Sequence, residues 1–372
     1  MKGSLRRRGG TWQLRVDAGM VNGRRVQRSS SFRGTKKEAE AELRKKIMAA
    51  EGGLDLDYRG LTLGSYLEHW LENKRPTLKP RTIEGYEDIF RRHVAPVIGS
   101  VKLDKLTPLH VESVLTTGRG NNLSEQSLLH VYRGLSAPLR AAVRKGLIGR
   151  NPAEAVEAPK PQRTEVEAMT LGSLQAVSQA VSGTDLAIPM VLAVGGGLRR
   201  GEVLGLRWRD VDLATGTVRL SQTIGTRRGG SLEMGTTKSH RSRSLSLPTF
   251  VVDALKAHKV AQTERRLLLG SAWIDNDLIV DRGDGSPVPP WSLSQRFRYA
   301  TTKAGLDVTF HDLRHGFATL SLAAGVSLKV TSTRMGHSRI SITADTYTGV
   351  SDESDRAAAH ALDAYIASNV RP

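Results

Sequence analysis

Six cationic, imidazole or phenol side chains lie in five short motifs across the second half of the chain, and their separation constrains the fold more than any other feature. The six residues are Arg199, Lys238, His311, Arg314, His337 and Tyr347. They occur in Gly-Leu-Arg-Arg-Gly-Glu at 197–202, Thr-Lys-Ser-His-Arg at 237–241, His-Asp-Leu-Arg-His at 311–315, Met-Gly-His-Ser at 335–338 and Asp-Thr-Tyr at 345–347. If these side chains serve one site, a single domain must bring distant segments of the chain together. Residues 161–372 are long enough for such a domain.

The residue types suit transfer of a phosphodiester to a side chain. That reaction needs a nucleophile, positive charge beside the non-bridging oxygens and a proton for the leaving oxygen. Arg199 and Arg314 can each present a planar fork of N–H groups to a phosphate. Tyr347 can act as the nucleophile, although a phenol has an ordinary pKa of about 10 and needs nearby positive charge and a histidine to become reactive. Since no Asp/Glu pattern with metal-ligand spacing stands out, the inventory predicts chemistry without a metal or another cofactor.

The order and spacing of the five motifs resemble those of the tyrosine recombinases, the phage-type integrases in particular, over essentially the whole chain. The resemblance implies that Tyr347 attacks a DNA phosphate, which gives a 3′-phosphotyrosine and a free 5′ hydroxyl. It also implies that the two arginines and the two histidines of the set, His311 and His337, belong to the catalytic site. Rejoining would need no ATP, because the covalent link stores the energy of the bond.

Lys238 lies between strand-like segments in a basic stretch rich in Gly, Thr and Ser, which suggests the tip of a hairpin. In the resembled family, a lysine on such a hairpin protonates the leaving oxygen. We prefer Lys238 to Arg241 for this role because Arg243 and the strand that follows fit the family pattern. Arg241 is assigned to DNA binding.

Each residue also has a simpler interpretation. Arg199 could be a surface arginine paired with Glu202, and a histidine in the position of His337 could belong to the core or cap a helix. His311 and His315, four residues apart, could bind zinc, but the expected glutamate between them is missing and an arginine beside a dication is unfavourable. Tyr347 is distinguished from other tyrosines only by its position ten residues after His337, which matches the usual gap in the family. We interpret Glu202 and Asp312 as groups that orient basic neighbours or cap helices.

The composition predicts a polyanionic partner. There are 55 Lys and Arg against 37 Asp and Glu, a net charge of +18, and no cysteine. Such a charge attracts nucleic acid, and the lack of cysteine excludes disulfides, thiolate catalysis and cysteine zinc sites. With neither a signal-peptide pattern nor a membrane-span pattern, we expect a cytoplasmic, nucleoid-associated protein of a bacterial host with no membrane partner.

The N-terminal segment predicts a small basic DNA-binding module. Eleven Lys or Arg and a single acid lie within residues 1–37. Residues 11–16 alternate as a strand, residues 24–32 form a second strand after an Asn-Gly turn signal, and Thr35 can cap a helix over residues 36–50. Three arginines of the second strand would then bind DNA, namely Arg24, Arg25 and Arg28. The alternative is a solvated basic tail.

Residues 61–158 are predicted to be helical. The first apolar stripe consists of Leu63, Tyr66, Leu67, Trp70 and Leu71. A second helix is expected from Thr82, another after the Thr107-Pro108 cap, and a longer one over about 124–145. Lys79 and Arg81 lie off the apolar stripes and are assigned to DNA binding. A merely solvated charged face explains them equally well.

The predicted fold class is multidomain α+β. We expect a β-sheet and helix module at 1–58 that resembles integrase arm-type DNA-binding domains, and an all-α, SAM-like core-binding bundle at 59–160. After a proline-containing linker, a mixed α/β, mainly helical catalytic domain follows at 161–372. Its helices are expected at 171–181 and 185–208 and its strands at 217–224 and 243–247, with further helices to the end.

The predicted function is site-specific DNA recombination that integrates or excises a phage or another mobile element. The resemblance implies a homo-tetramer on two synapsed double-stranded attachment sites, and it allows for host or phage accessory proteins that bend DNA or set direction. The apolar positions of residues 354–368 predict a helix. The resemblance implies that it docks on a neighbouring subunit, and packing on its own domain is the alternative. The alternatives are a topoisomerase of type IB, which would relax DNA without an attachment sequence, and a non-catalytic DNA-binding regulator.

Overall fold

The computed structural model describes residues 3–21, 24–51, 60–162, 169–236, 242–337, 339–341, 344 and 360. The chain forms two compact units, residues 1–164 and 165–372. Lys238, Arg241 and Tyr347 lie outside the described residues, as does nearly all of the predicted segment 354–368.

The N-terminal part of the first unit is a three-stranded antiparallel sheet followed by a helix. The sheet has the order β1-β2-β3, and its elements are β1 Gly3–Arg8, β2 Thr11–Val21, β3 Arg24–Phe32 and α1 Lys36–Glu51. The bounds of β3 agree with the prediction, whereas β1 was not predicted because its three consecutive arginines hide the alternation of apolar and polar residues. Thr35 caps α1 as expected: its backbone N–H donates to Glu38 Oε2 at 2.8 Å, and its hydroxyl accepts from the Glu38 N–H.

The two faces of this sheet differ. Leu14 and Val16 of β2 are buried, and a side chain added at Gly3 beside them would meet Leu43 and Ile47 of α1. The helix therefore covers this face. Arg6 and Arg15 are exposed and alternate with the buried positions, so they lie on the opposite face, which we call the outer face.

The three arginines predicted to bind DNA from this sheet all belong to β3. Val21 pairs with Arg24, Met20 with Arg25 and Val16 with Arg28. Their side chains lie outside the description, so the predicted role of Arg24, Arg25 and Arg28 stays a prediction.

The rest of the first unit is a helical bundle. Its helices are α2 Leu63–Lys74, α3 Pro80–Ile89, α4 Ala95–Ile98, α5 Pro108–Gly120 and α6 Glu125–Arg144, with a π-turn at Phe90–Val94 and 3₁₀ turns at Leu103–Lys105 and Pro152–Ala155. The predicted stripe of α2 is buried, and Thr107 precedes α5 as its N-cap. The prediction that the second helix begins at Thr82 was wrong. It begins at Pro80, since a proline fits the first helical position, where no N–H is needed.

Two predicted DNA-binding residues lie at the start of α3. Lys79 is its N-cap residue, and both Lys79 and Arg81 are exposed. Arg81 forms an ion pair of 3.2 Å with Glu84, but its side chain is 78% exposed, so the pair contributes little stability. Both cations are accessible to a phosphate.

The second unit is mainly helical with two small antiparallel sheets. Its helices are α7 Leu171–Val181, α8 Ala187–Gly196, α9 Arg200–Leu204, α10 Thr249–Leu269, α11 Pro290–Lys303, α12 Phe310–Ala323 and α13 Leu328–Met335, with 3₁₀ turns at Trp208–Asp210 and Gly270–Ala272. Its strands are β4 Val211–Asp212, β5 Thr217–Leu220, β6 Gln222–Thr226, β7 Leu232–Thr236 and β8 Arg243–Ser246. One sheet has the order β4-β5-β8, and β6 pairs with β7.

One prediction in this unit was wrong. Residues 217–224 were expected to form a single strand, but β5 and β6 belong to different sheets. Val218, Leu220 and Ile224 are all buried and lie at even spacing on both sides of Ser221. Although Gln222 interrupts the apolar residues, this common spacing does not reveal the break. The predicted helix at 171–181 is α7. Along the described ranges, no helix combines the length and the apolar character that crossing a bilayer requires.

Candidate active site

The site is built around the carboxyl end of α13. A helix leaves its last carbonyl groups without partners in the helix, and they carry partial negative charge. Here three consecutive carbonyl oxygens each accept a hydrogen bond from a different guanidinium. Arg243 Nε donates to Arg334 O at 3.1 Å, Arg314 Nη2 to Met335 O at 2.5 Å, and Arg199 Nη2 to Gly336 O at 2.8 Å. The end of α13 thus gathers arginines from β8, α12 and the segment before α9.

Arg314 connects the ends of two helices. It is 3% exposed, and its Nη1 donates to the carbonyl oxygen of Gly197, the residue after α8. Gly197 has φ +63°, and a Cβ there would lie 2.5 Å from the Phe317 ring. Only glycine fits this close approach in the left-handed region. The turn places the Gly197 carbonyl against Arg314 and leads the chain to Arg199.

A buried carboxylate lies between Arg199 and Arg243. Glu202 is 1% exposed and accepts from the Arg199 backbone N–H at 2.8 Å and from Arg199 Nη1 at 3.1 Å. Arg243 binds both of its oxygens, from Nη1 to Oε1 at 2.8 Å and from Nη2 to Oε2 at 2.9 Å. Burial would raise the pKa of Glu202, but the bonds and charge of Arg243, and then those of Arg199, hold it below its ordinary value.

The simple pairing of Arg199 with Glu202 that the spacing suggested is therefore present. This pair does not use all the hydrogen-bond donors of the Arg199 side chain, which also donates to the Gly336 carbonyl and is 30% exposed. A guanidinium has five N–H donors. Arg199 thus keeps donors for a phosphate beyond those it uses towards described residues.

The histidines lie beside these arginines. Burial, followed by the charges of Arg314, Arg199, His315 and Arg243, lowers the pKa of His337 to about 4. Burial and then the charges of His315 and Arg314 also lower the pKa of His311. Both imidazoles are therefore neutral near pH 7 in the absence of DNA, and each can accept a proton or donate a hydrogen bond.

Asp312 caps α12, which was one of the two roles predicted for it; the other was to orient basic neighbours. It accepts from the Thr309 N–H at 2.8 Å and from the Thr309 hydroxyl at 2.7 Å. His311 and His315 lie on this helix with ring centroids 4.8 Å apart. Within the described ranges, no group of three or more His, Cys, Asp or Glu side chains could hold a metal ion.

Four of the six predicted catalytic residues thus meet: Arg199 and Arg314 bond neighbouring carbonyls of one helix end, and their charges act on both His311 and His337. Lys238 and Tyr347 lie outside the described residues. Arg243 fits the family pattern and helps to identify Lys238, but its sequence context predicts no role for it in the site, because an arginine in a short strand does not indicate its partner. Its role becomes visible only from the buried carboxylate that it binds.

Two family profiles match the chain. The Phage integrase family profile matches residues 166–354, and the profile named Phage integrase, N-terminal SAM-like domain matches residues 62–116. The first match covers more than half of the chain.

Relatives match over most of their length. A tyrosine recombinase XerC-like protein of Caldanaerobacter subterraneus is 27% identical, over 91% of this chain and 92% of that protein. An integrase of Streptomyces ambofaciens is 29% identical, over 88% of this chain and 86% of that protein.

Solved structures share the fold. The integrase of transposon Tn1549, in complex with transposon right end DNA, superposes with a TM-score of 0.70 at 20% identity, over 81% of this chain and 99% of that chain. A lambda integrase tetramer bound to a Holliday junction gives 0.58 at 19% identity, over 87% and 91%. The chain belongs to the phage integrase family, whose members are tyrosine recombinases that carry out DNA strand transfer.

Proposed function

We propose that this recombinase cleaves double-stranded DNA at attachment sites and rejoins the strands to new partners, and so integrates or excises a phage or another mobile element. Tyr347 attacks the scissile phosphate and forms a 3′-phosphotyrosine, which releases a 5′ hydroxyl. The 5′ hydroxyl of a partner strand then attacks this link and regenerates the tyrosine. No ATP is consumed, since one phosphoester replaces another at each step.

The observation that carries this proposal is the convergence of Arg199 and Arg314 on adjacent carbonyls, directly before His337. Tyr347 follows His337 by ten residues in the sequence. In the proposed mechanism the two guanidinium groups bind the non-bridging oxygens of the phosphate and stabilise the charge of the transition state. Their positions are fixed by bonds to Gly197, Met335 and Gly336 before DNA arrives. Preorganised donors of this kind need little rearrangement during the reaction.

The histidines and the lysine handle protons in this proposal. His311 and His337 are neutral at the pH of a cell, so they can hydrogen-bond to the phosphate or take the proton that Tyr347 loses. Lys238 protonates the leaving 5′ oxygen. We propose no metal or other cofactor, because two arginines supply the positive charge that a cation would otherwise provide.

We propose three DNA-contacting parts with boundaries at 1–58, 59–160 and 161–372. The start of the SAM-like profile match at residue 62 supports the first boundary, and the division into two compact units at residue 164 supports the second. Lys79 and Arg81 at the start of α3 contact phosphates of the core site. Arg241, beside Lys238, is a further DNA contact.

In the N-terminal module, DNA binding by Arg24, Arg25 and Arg28 remains the proposal from the sequence. The exposed outer face adds Arg6 and Arg15, which point away from α1. Arg6 of β1 and Arg15 of β2, two paired strands, thus contribute positive charge to one face of the sheet.

We further propose a homo-tetramer on two synapsed DNA duplexes, since the lambda integrase of the same fold has been solved as a tetramer on a Holliday junction. Accessory proteins that bend DNA or set direction complete the assembly. Because the substrate is chromosomal or element DNA, we place this action at the bacterial nucleoid.

Covalent trapping tests the proposal. A duplex that carries the attachment site and a nick next to the cleavage position loses its short 5′-hydroxyl fragment, so the phosphotyrosine accumulates. We expect a covalent complex with the wild-type chain and none with Tyr347→Phe, which still binds the duplex. A Tyr347→Phe protein that forms the adduct would refute the assignment, and Tyr299→Phe, a change at an exposed tyrosine of α11, is the matched control.

Two further outcomes separate the rival functions. Relaxation of supercoiled DNA that lacks an attachment site would favour a topoisomerase of type IB. Tight binding to DNA without any covalent complex from the wild-type chain would favour a non-catalytic regulator.

A further inference from the structure

All three nitrogens of the Arg243 guanidinium donate hydrogen bonds to the protein, at the edge of the proposed site. Its Nη1 and Nη2 bind the two oxygens of Glu202, and its Nε donates to the carbonyl oxygen of Arg334. The side chain is 16% exposed. These bonds connect β8 to α9 and to the end of α13.

Glu202 needs this partner. Its carboxylate is 1% exposed, and a buried carboxylate is costly unless it is paired and hydrogen-bonded. Arg199 and Arg243 both donate to it, but in different ways. Arg243 forms the parallel two-bond fork, whereas the guanidinium of Arg199 gives one bond from Nη1 and directs Nη2 to Gly336.

The different geometries of the two arginines give them different roles at Glu202. A carboxylate accepts a two-bond fork more favourably than a single bond. With Arg243 in that position, the Arg199 guanidinium is held at the rim of the site and stays 30% exposed. Without Arg243, Arg199 would be the remaining described cation that donates to the buried Glu202 carboxylate. The Arg199 guanidinium would then move to form the two-bond fork with Glu202.

We propose that Arg243 is a positioning residue: by compensating the charge of Glu202, it leaves the guanidinium of Arg199 available to the scissile phosphate. This inference rests on the proposed function, in which Arg199 binds that phosphate. Arg243 itself contacts neither the phosphate nor Tyr347 in the reaction.

The test compares two substrates, a nicked duplex with a normal scissile phosphate and the same duplex with a methylphosphonate there. The methyl group replaces a charged non-bridging oxygen, so the neutral substrate has less need of a guanidinium. On the phosphate, we expect Arg199→Ala to slow formation of the covalent complex on the order of 100-fold, the cost of losing one preorganised donor. We expect Arg243→Met to slow it by about 10-fold or more, as a misplaced donor would. Both defects should shrink several-fold on the methylphosphonate.

A double variant that also removes the charge of Glu202 adds a second measurement. Its cleavage rate should not recover if Arg243 has only a structural role. Glu202→Gln combined with Arg243→Met removes both the carboxylate and its partner, so Arg199 is no longer drawn away. The double variant should therefore cleave the phosphate faster than Arg243→Met alone. Arg334→Met is the matched control, since Arg334 connects α13 to the Ser246 carbonyl at 2.9 Å without bonding Glu202. Any defect of this control should be equal on the two substrates.

The outcomes separate the two proposals. If the defect of Arg199→Ala does not shrink on the methylphosphonate, the phosphate-binding role of Arg199 fails, and the positioning role fails with it. If Arg199→Ala behaves as expected but the defect of Arg243→Met is equal on both substrates, or the double variant gives no recovery, only the role of Arg243 is overturned. Should Arg243→Met fail to fold, Arg243→Lys carries the same comparison, because an ammonium keeps the charge but cannot form the fork.

Discussion

Arg199 donates a 2.8 Å hydrogen bond to the carbonyl oxygen of Gly336, 137 residues later in the chain. Gly336 ends α13 in the left-handed region and directly precedes His337. The motifs at 197–202 and 335–338 are therefore connected by a hydrogen bond to a backbone carbonyl. No side-chain pattern in the sequence predicts such a bond. The chain that leads on to Tyr347 starts from a residue fixed by this bond.

Replacement of Gly336 by alanine should damage the site more than the fold. Gly336 has φ +65°, and a Cβ there would lie 2.8 Å from Arg243 Nη1. Gly325 has φ +79° and nothing within 4 Å of such a Cβ. Both alanine variants should lose about 1–2 kcal/mol of unfolding free energy from the left-handed backbone. Only Gly336→Ala should also slow covalent-complex formation, on the order of 10- to 100-fold, because it displaces Arg243.

Denaturant unfolding and nicked-substrate kinetics on the two glycine variants check this expectation. Equal loss of cleavage in both variants would show that backbone strain, and not the contact with Arg243, is responsible.

The stability of the second unit, residues 165–372, should fall as the pH is lowered. His337 has a pKa of about 4 in the folded chain, against an ordinary value of about 6.5 in the unfolded chain. Between these two pH values the unfolded state binds more protons than the folded state, so the unfolding free energy rises with pH. Acidification through this window therefore removes the contribution of His337 to stability. His337→Gln should show a shallower loss between about pH 7 and pH 4. An unchanged slope in the variant would contradict the low pKa of His337.

The outer face of the N-terminal sheet should contribute to the salt dependence of DNA binding. If Arg15 neutralises one phosphate, Arg15→Gln should reduce the slope of log affinity against log salt by about 0.9. Lys36→Gln removes the same charge from the start of α1, at a side chain that is 70% exposed, and should leave the slope nearly unchanged. The measurement uses the full chain with Tyr347→Phe, so that no cleavage occurs. Equal slopes for the two variants would place the DNA elsewhere.

Cleavage should proceed unchanged after removal of divalent metal. In the proposed mechanism Arg199 and Arg314 supply the positive charge beside the phosphate. A zinc ion on His311 and His315 would lie next to Arg314, an unfavourable neighbour for a dication. Covalent-complex formation in EDTA should equal that in buffer alone. A loss that zinc restores would support the zinc interpretation of the histidine pair instead.

Much of the local structure could be predicted because its signals are local. The cap at Thr35, the N-cap at Thr107 with its proline, and the bounds of β3 and α7 follow from residues within a few positions. The failures also have local causes. Three arginines hide the alternation of β1, and the even spacing of Val218, Leu220 and Ile224 hides the change of sheet between β5 and β6.

The sequence alone predicts which side chains do the chemistry, because motif order and residue type single out a candidate nucleophile, cations and imidazoles without coordinates. Tertiary structure alone decided how the described arginines are held. The acceptors for Arg199, Arg314 and Arg243 are carbonyl oxygens at one helix end, and every residue carries such an oxygen whatever its side chain. Likewise, the sharing of the Glu202 carboxylate between Arg199 and Arg243 depends on burial, which only the packed fold creates.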